Sequence, residues 1–155
     1  MISNDDLKDW ADALPAHHIL GIGTDICSVA RIEKIYHRFT EHFLRKSYSK
    51  NEQSFFYTLP DHKKSLFLAK RFAAKEAYAK AFGTGLGAYV AMKEIETLND
   101  TIKKSPRMMI YGQSLHHLQE KCHGHDHHIY ISLSDEDHYA MAFCVIALVT
   151  PSIAL

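Results

Sequence analysis

The spacing of apolar and polar residues predicts that the fold of this chain begins with a strand followed by a helix. Residues 18–26 are mostly apolar or glycine, which is typical of a buried strand, and we expect this strand to end near Asp25. Ser28 comes next and is a suitable N-cap for a helix over residues 29–39.

Two further helices are predicted in the middle of the chain. Ser49 and Glu52 have the spacing of a capping box, so we expect a helix to begin there. A long helix then starts at Asp61 and is expected to continue to about Ala81. Near its end, apolar positions recur every three or four residues, as they do on the buried face of a helix.

The second half of the chain is predicted to be richer in strands. Four strands are expected, over residues 92–98, 107–111, 128–134 and 139–149. A short helix over 113–121 separates them into two pairs, and the polar residues 135–137 form the last turn. Because the strands cluster late, the pattern favours an α+β fold over a doubly wound parallel sheet. We expect one domain over residues 19–150, preceded by an N-terminal arm over residues 1–18.

Composition excludes several classes of function. At 155 residues the chain is long enough for one domain with a real core. Its 18 basic residues balance its 18 acidic ones, so net charge gives no indication of nucleic-acid binding. No apolar run approaches the roughly 20 residues that span a bilayer, so we expect no membrane partner. Acidic residues near the N-terminus argue against a secretory signal, and three scattered cysteines favour reduced thiols in a cytoplasmic protein.

An acidic residue interrupts the apolar face of the long helix. This face carries Ala69, Phe72, Ala73, Glu76, Ala77 and Lys80. A buried carboxylate needs a cation or hydrogen bonds to offset its desolvation, so Glu76 calls for a partner. A metal ion would serve, and so would an ion pair with Arg71, Lys75 or Lys80. With Lys80 one turn further on and glycines beyond it, this helix end suits a metal-bound phosphate.

Two other features near this helix have both a structural and a functional interpretation. Asp25 either caps the helix after the first strand or, if Ser28 is the cap, remains free to bind a metal. The turn Gly83-Thr84-Gly85-Leu86-Gly87 either ends the long helix or presents backbone N–H groups to a phosphate. It is neither a Walker loop nor a dinucleotide-binding fingerprint, because the residues that follow and precede it differ.

Basic and histidine-rich segments also stand out. Arg31, Lys34 and Arg38 share a helix face, which is either a solvated surface or a docking stripe for an acidic partner. Six histidines crowd residues 116–128, where the absence of a carboxylate helix motif favours a polar surface loop with adventitious metal affinity over a metal site.

Several of these motifs occur together in a fixed order. They are Gly21-Ile22-Gly23-Thr24-Asp25-Ile26, Arg31-Ile32, Arg71-Phe72-Ala73-Ala74-Lys75-Glu76-Ala77, Gly83-Thr84-Gly85, and Ser132-Leu133-Ser134 before Tyr139-Ala140. In this order and with these gaps the chain resembles the holo-acyl-carrier-protein synthases, the small 4′-phosphopantetheinyl transferases, over about residues 19–149.

The resemblance implies an α+β fold that assembles as a homotrimer with active sites between subunits. It implies transfer of 4′-phosphopantetheine from coenzyme A to a serine of apo acyl carrier protein, releasing adenosine 3′,5′-bisphosphate, for fatty acid biosynthesis. Asp25 and Glu76 match the magnesium ligands, and Lys80 matches a lysine that contacts the coenzyme A diphosphate. Glu76 and Lys80 are therefore the expected catalytic residues, with the proton acceptor left open between Glu76 and a metal-bound water.

The same resemblance implies a cofactor pocket and a partner surface. The pocket maps to Arg71, Lys80, Gly83, Thr84, Gly85 and Ser134. Arg31 matches an arginine that engages the carrier protein, and Lys34 and Arg38 extend its stripe. Asp135 follows Ser134 where the family usually has histidine, and Lys104-Ser105-Pro106 replaces a Gly-Lys-Pro turn. A non-catalytic module that binds carrier protein or coenzyme A is the alternative, followed by a histidine-rich metal-binding protein.

Overall fold

The computed structural model describes residues 17–149, which form five strands and four helices. In chain order these are β1 (His17–Ser28), α1 (Val29–Ser47), α2 (Lys50–Thr58), α3 (Asp61–Phe82), a 3₁₀ turn (Met92–Glu94), β2 (Ile95–Asn99), β3 (Pro106–Ile110), α4 (Gly112–Lys121), β4 (Asp126–Glu136) and β5 (Tyr139–Val149). The predicted arm over residues 1–18 lies outside this part of the chain, apart from His17 and His18, which begin β1.

Two antiparallel sheets and one long helix make up the architecture, so the α+β prediction is confirmed. The larger sheet has the strand order β1-β5-β4, and β2 pairs with β3 in a separate hairpin. Helix α3 packs across one face of the larger sheet, mainly against β1 and β5. No helix within residues 17–149 is both long and apolar enough to cross a membrane.

The prediction that β1 is a buried strand was wrong for one of its faces. Ile22 and Ile26 are 55% and 62% exposed, because α3 covers only the other face and side chains alternate along a strand. A β-bulge between Ile19 and Gly21 places Ile19, which is 63% exposed, on the same uncovered face. The strand also continues beyond Asp25 to Ser28. The apolar composition of β1 therefore reflects a second apolar surface as well as the core.

Two glycines allow α3 to lie directly on β1. A Cβ added to Gly21 would overlap the carbonyl oxygen of Ala81, and a Cβ added to Gly23 would overlap that of Ala77. The helix face opposite them consists of alanines, which are fully or almost fully buried. This close approach brings the next inward-facing residue of β1, Asp25, against the same helix.

Helix α1 begins where the sequence predicts and then bends. The Ser28 hydroxyl accepts a hydrogen bond from the backbone N–H of Arg31 (3.3 Å), which is the expected N-cap. The predicted segment 29–39 is regular, but Thr40 has φ 40° and ψ −120° and breaks the helix before residues 41–47. The predicted strand over residues 139–149 is confirmed as β5, whereas β2, β3 and β4 differ from prediction at their ends and residues 92–94 form the 3₁₀ turn instead of strand.

A buried ion pair joins three elements behind the sheet. The Lys75 ammonium group donates to the Glu52 carboxylate (2.7 Å), and both side chains are fully buried. Glu52 completes the predicted capping box with Ser49 and also accepts the backbone N–H of Thr97 (2.9 Å). Lys75 also donates to the carbonyls of Met92 and Ile95. Burial lowers the pKa of Lys75, and the charge of Glu52 opposes this shift.

Replacing Lys75 by Met should lower the free energy of unfolding by about 3–5 kcal/mol, because the Glu52 carboxylate would stay buried without its cation. Urea denaturation followed by circular dichroism measures this change. Lys63→Met, on the exposed first turn of the same helix, is the matched control and should change stability by less than about 0.5 kcal/mol. Equal losses in the two variants would contradict a structural role for the buried pair.

Candidate functional site

The site forms where β1 passes the C-terminal half of α3. Asp25 lies on the face of β1 that is turned towards this helix, opposite Ala142 of β5. The Lys80 ammonium group donates to Asp25 Oδ1 and to the carbonyl of Thr24, both at 2.9 Å. Because Ser28 caps α1, the interpretation of Asp25 as a helix cap was wrong and its carboxylate is available for binding.

Glu76 adds a second carboxylate to this site. It is half-buried one turn before Lys80, and within residues 17–149 its side chain makes no hydrogen bond or ion pair. Burial raises the pKa of Glu76, the negative charge of Asp25 raises it further, and Lys80 and Arg31 act in the opposite direction. Within residues 17–149 Glu76 forms none of the three ion pairs considered from the sequence, because Arg71 and Lys75 are buried in the core and Lys80 pairs with Asp25.

Arg31 belongs to this site as well as to the basic stripe. It lies in the first turn of α1, immediately after β1, and its guanidinium contacts Cys27 Sγ at 3.8 Å. Its positive charge lowers the pKa of Glu76, against the larger effect of burial. Sequence reasoning assigned Arg31 only to partner docking. The signal that could have placed it here is the absence of a loop between β1 and α1.

The oxygen ligands at this site fit one hard divalent cation, whose coordination shell a bound ligand would complete. Asp25 and Glu76 offer carboxylate oxygens, which Mg²⁺ prefers. The negative charge of Asp25 raises the pKa of Glu76, and a bound cation would relieve this repulsion. Among residues 17–149 no group of three or more histidine, cysteine or acidic side chains could hold a metal by itself.

The glycine turn after α3 is a helix cap in this conformation. Gly83 has φ 95°, and its N–H donates to the carbonyls of Ala79 and Lys80. The Gly85 N–H also donates to Ala79 (3.2 Å). Thr84 is exposed, and its hydroxyl donates to the carbonyl of Gly85 (3.1 Å). A phosphate held by the Gly83 or Gly85 N–H groups would therefore require this turn to open.

The structure does not bring Arg71 or Ser134 into contact with the carboxylates. The Arg71 guanidinium is buried, donates to the carbonyl of Thr97 (3.1 Å) and lies over the Phe67 ring. Ser134 is exposed on β4, opposite Met141 and so on the sheet face turned away from α3. Their roles in cofactor binding stay predictions.

The acidic residue that departs from the family pattern has a cation of its own. Lys70 Nζ of α3 lies 2.5 Å from Asp135 Oδ1 at the end of β4. His138 contributes its carbonyl, which accepts the Val29 N–H (2.9 Å). The negative charge of Asp135 at this turn is thus offset by Lys70.

Comparison with known proteins shows the family to which this chain belongs. Residues 21–144 match the model of the 4′-phosphopantetheinyl transferase superfamily, and the chain belongs to this family. A curated holo-[acyl-carrier-protein] synthase of Escherichia coli (strain SMS-3-5 / SECEC) is 44% identical over 128 residues, which cover 83% of this chain and 97% of that protein.

Solved structures of the same class share the fold. The holo-[acyl-carrier-protein] synthase of Neisseria meningitidis is 36% identical with a TM-score of 0.73, and the match covers 83% of this chain and 98% of that one. A holo-(acyl-carrier-protein) synthase of Bacillus anthracis in complex with CoA (3′,5′-ADP) is 32% identical with a TM-score of 0.69, covering 84% and 97%.

Replacing Glu76 by Gln should stabilise the metal-free protein at neutral pH. The raised pKa means that the ionised form is disfavoured in the folded state, so the penalty disappears as pH falls through this raised pKa towards the ordinary value of 4.5. We expect the melting temperature to rise by about 1–2 °C at pH 7.5 in EDTA, a small gain because solvent screens a half-buried group.

Scanning calorimetry from pH 7.5 to pH 4.5 tests this expectation. The difference between Glu76→Gln and the unmodified protein should shrink as the pH falls. Glu136→Gln, at an exposed position of the β4–β5 hairpin, is the control and should show no comparable gain. A Glu76→Gln protein that is less stable at pH 7.5 would contradict the penalty that burial and the charge of Asp25 place on the ionised Glu76 carboxylate.

Proposed function

We propose that this protein transfers 4′-phosphopantetheine from coenzyme A to a serine of apo acyl carrier protein, giving holo carrier protein and adenosine 3′,5′-bisphosphate. The observation that carries the proposal is the convergence of Asp25, Glu76 and Lys80 at one point of the fold. It occurs in a chain that is 44% identical to a holo-[acyl-carrier-protein] synthase over 97% of that protein.

Asp25 and Glu76 would hold Mg²⁺, which when bound supplies positive charge to the diphosphate of coenzyme A. Lys80 now pairs with Asp25 and is 52% exposed, so its ammonium group can reach a phosphate oxygen beside that carboxylate. The cluster positions and neutralises a diphosphate, which is most of what phosphoryl transfer requires from a protein.

The bond changes follow from the substrates. The serine oxygen forms a bond to the phosphorus that carries pantetheine, and the bond from that phosphorus to the bridging oxygen breaks. Adenosine 3′,5′-bisphosphate leaves with the bridging oxygen. Glu76 is the proton acceptor that we assign to the serine hydroxyl, because Asp25 is paired with Lys80, whereas the Glu76 carboxylate has no hydrogen bond or ion pair within residues 17–149.

The first half of α1 is the proposed docking surface for the carrier protein. Arg31, Lys34 and Arg38 are all exposed on this segment. Positive charge in this position would attract an acidic partner and orient it. The charge of Arg31 also lowers the pKa of Glu76, so the stripe ends at the site itself. A partner bound along the stripe would present its serine at this site.

We further propose that the protein works as a homotrimer with sites between subunits. The sheet face opposite α3 exposes Ile22, Ile26, Tyr130, Tyr139, Met141 and Phe143, each between 44% and 62%. A contiguous apolar face of this kind marks an association surface. Ser134 lies on the same face, so association would carry it towards the site of a neighbouring subunit and explain its distance from Glu76.

Asp25→Ala and Glu76→Ala should each abolish transfer while leaving a folded protein. Each removes one of the two carboxylates, and loss of the metal charge should cost about 3 kcal/mol or more of transition-state stabilisation. The purified protein is mixed with coenzyme A, magnesium and apo carrier protein, and mass spectrometry detects one added phosphopantetheinyl group.

The control for this experiment is Glu136→Ala, which should retain full activity. Near-normal rates in Asp25→Ala or Glu76→Ala at limiting magnesium would contradict the metal assignment. An unmodified protein that binds carrier protein or coenzyme A but transfers nothing would favour the non-catalytic alternative.

Phe143→Arg should disrupt self-association, because it places a charge in the middle of the exposed apolar face. Light scattering coupled to size exclusion should show a trimer for the unmodified protein and smaller species for the variant, with activity reduced in parallel. Ile102→Arg is the control, since Ile102 is 88% exposed in the turn between β2 and β3 and lies outside this face. A variant that remains trimeric would overturn the assignment of this surface.

A further inference from the structure

One residue of α1 has a backbone conformation that suits glycine. Thr40 has φ 40° and ψ −120°, close to the first central position of a type II′ turn at about 60° and −120°. Glycine normally occupies that position because it has no Cβ, and a β-branched residue is the least suited to it. Thr40 is exposed, so no burial of its own side chain offsets the strain.

The segments on both sides of Thr40 are firmly held, which localises the strain at this residue. Before it, Ile32 is fully buried and the Tyr36 ring packs on Phe56 of α2. After it, Leu44 is fully buried, and the Glu41 carboxylate accepts the Tyr57 hydroxyl at 2.6 Å. A strained backbone persists where its surroundings determine it, and such residues concentrate at functional sites.

The bend changes the direction of the basic residues in α1. In an unbroken helix Arg45 would continue the stripe of Arg31 and Arg38, because steps of seven residues keep side chains on one face. In the bent helix Arg45 instead lines a cleft of about 650 Å³ together with Lys93 and Gly87. His42 and Lys46 line the same cleft, beside the loop that follows the glycine turn.

We propose that Thr40 is a positioning residue whose strained bend aims the second half of α1, and Arg45 in particular, at the carrier protein. The partner would then meet two basic surfaces at an angle, the stripe before the bend and Arg45 after it. This inference rests on the proposed function and adds to it a residue that touches neither the carboxylates nor the stripe. It predicts that the geometry of the bend affects recognition and not the chemical step.

Two substitutions at Thr40 separate strain from positioning. Thr40→Gly allows the same bend without strain, so it should raise the melting temperature and leave the KM for carrier protein within about twofold. Thr40→Pro fixes φ near −65° and cannot form the bend. It should raise the KM for carrier protein about tenfold, with kcat and the KM for coenzyme A within about twofold.

Charge reversal on either side of the bend gives a matched test. Arg38→Glu and Arg45→Glu should each raise the KM for carrier protein, whereas Lys63→Glu on α3 should not. In the Thr40→Pro background Arg38→Glu should keep its full effect, but Arg45→Glu should lose most of its effect because Arg45 is already displaced. If Thr40→Pro does not fold, Arg45→Glu and Thr40→Gly still test the proposal through the KM for carrier protein and the melting temperature.

The proposal is overturned if Arg45→Glu leaves the KM for carrier protein unchanged, if Thr40→Gly lowers the melting temperature, or if Arg45→Glu has the same effect in both backgrounds. Failure of the proposed function would look different. An unmodified protein without transfer activity removes that function, while direct titration of apo carrier protein against the same variants still tests whether the bend positions Arg45.

Discussion

The ion pair between Lys75 and Glu52 is the interaction on which the rest of the structure depends. A pair this deeply buried is favourable only when further hydrogen bonds satisfy both groups, and the capping box, the Thr97 N–H and two carbonyls provide them. These bonds fix the rotation of α3 about its axis relative to α2 and β2. Once this rotation is fixed, the face of α3 that meets β1 is fixed as well.

Lys75 and Glu76 are neighbours in sequence with opposite environments. Successive residues of a helix point about 100° apart, so if Lys75 is directed at Glu52, then Glu76 has to point towards β1. Structural support and candidate chemistry therefore share one helical turn. The unfavourable repulsion between Glu76 and Asp25 is maintained by the rigid packing of the alanine face of α3 against the glycines of β1.

Much of this could be predicted from the sequence where local rules decide the structure. Ser28 and Ser49 begin their helices as their capping patterns indicate, and the late cluster of strands indicates the α+β class. The pairing of Asp25 with Lys80 could not be derived locally, because it joins residues 55 apart in the chain. Neither could the burial of Lys75, whose partner lies on another helix, nor the bend at Thr40, which arises from packing on both sides.

The two glycines of β1 also fix the register of the whole strand by steric exclusion. If β1 were to slip by one residue, Ile22 would face the Ala77 carbonyl, where not even a methyl group fits. A slipped chain therefore cannot close against α3 at all, and a folded molecule with Asp25 on the wrong side of the sheet is excluded. The position of Asp25 in the site thus depends on the absence of side chains at Gly21 and Gly23. Errors in strand pairing should therefore yield chains that remain unfolded, and not a population of folded but inactive molecules.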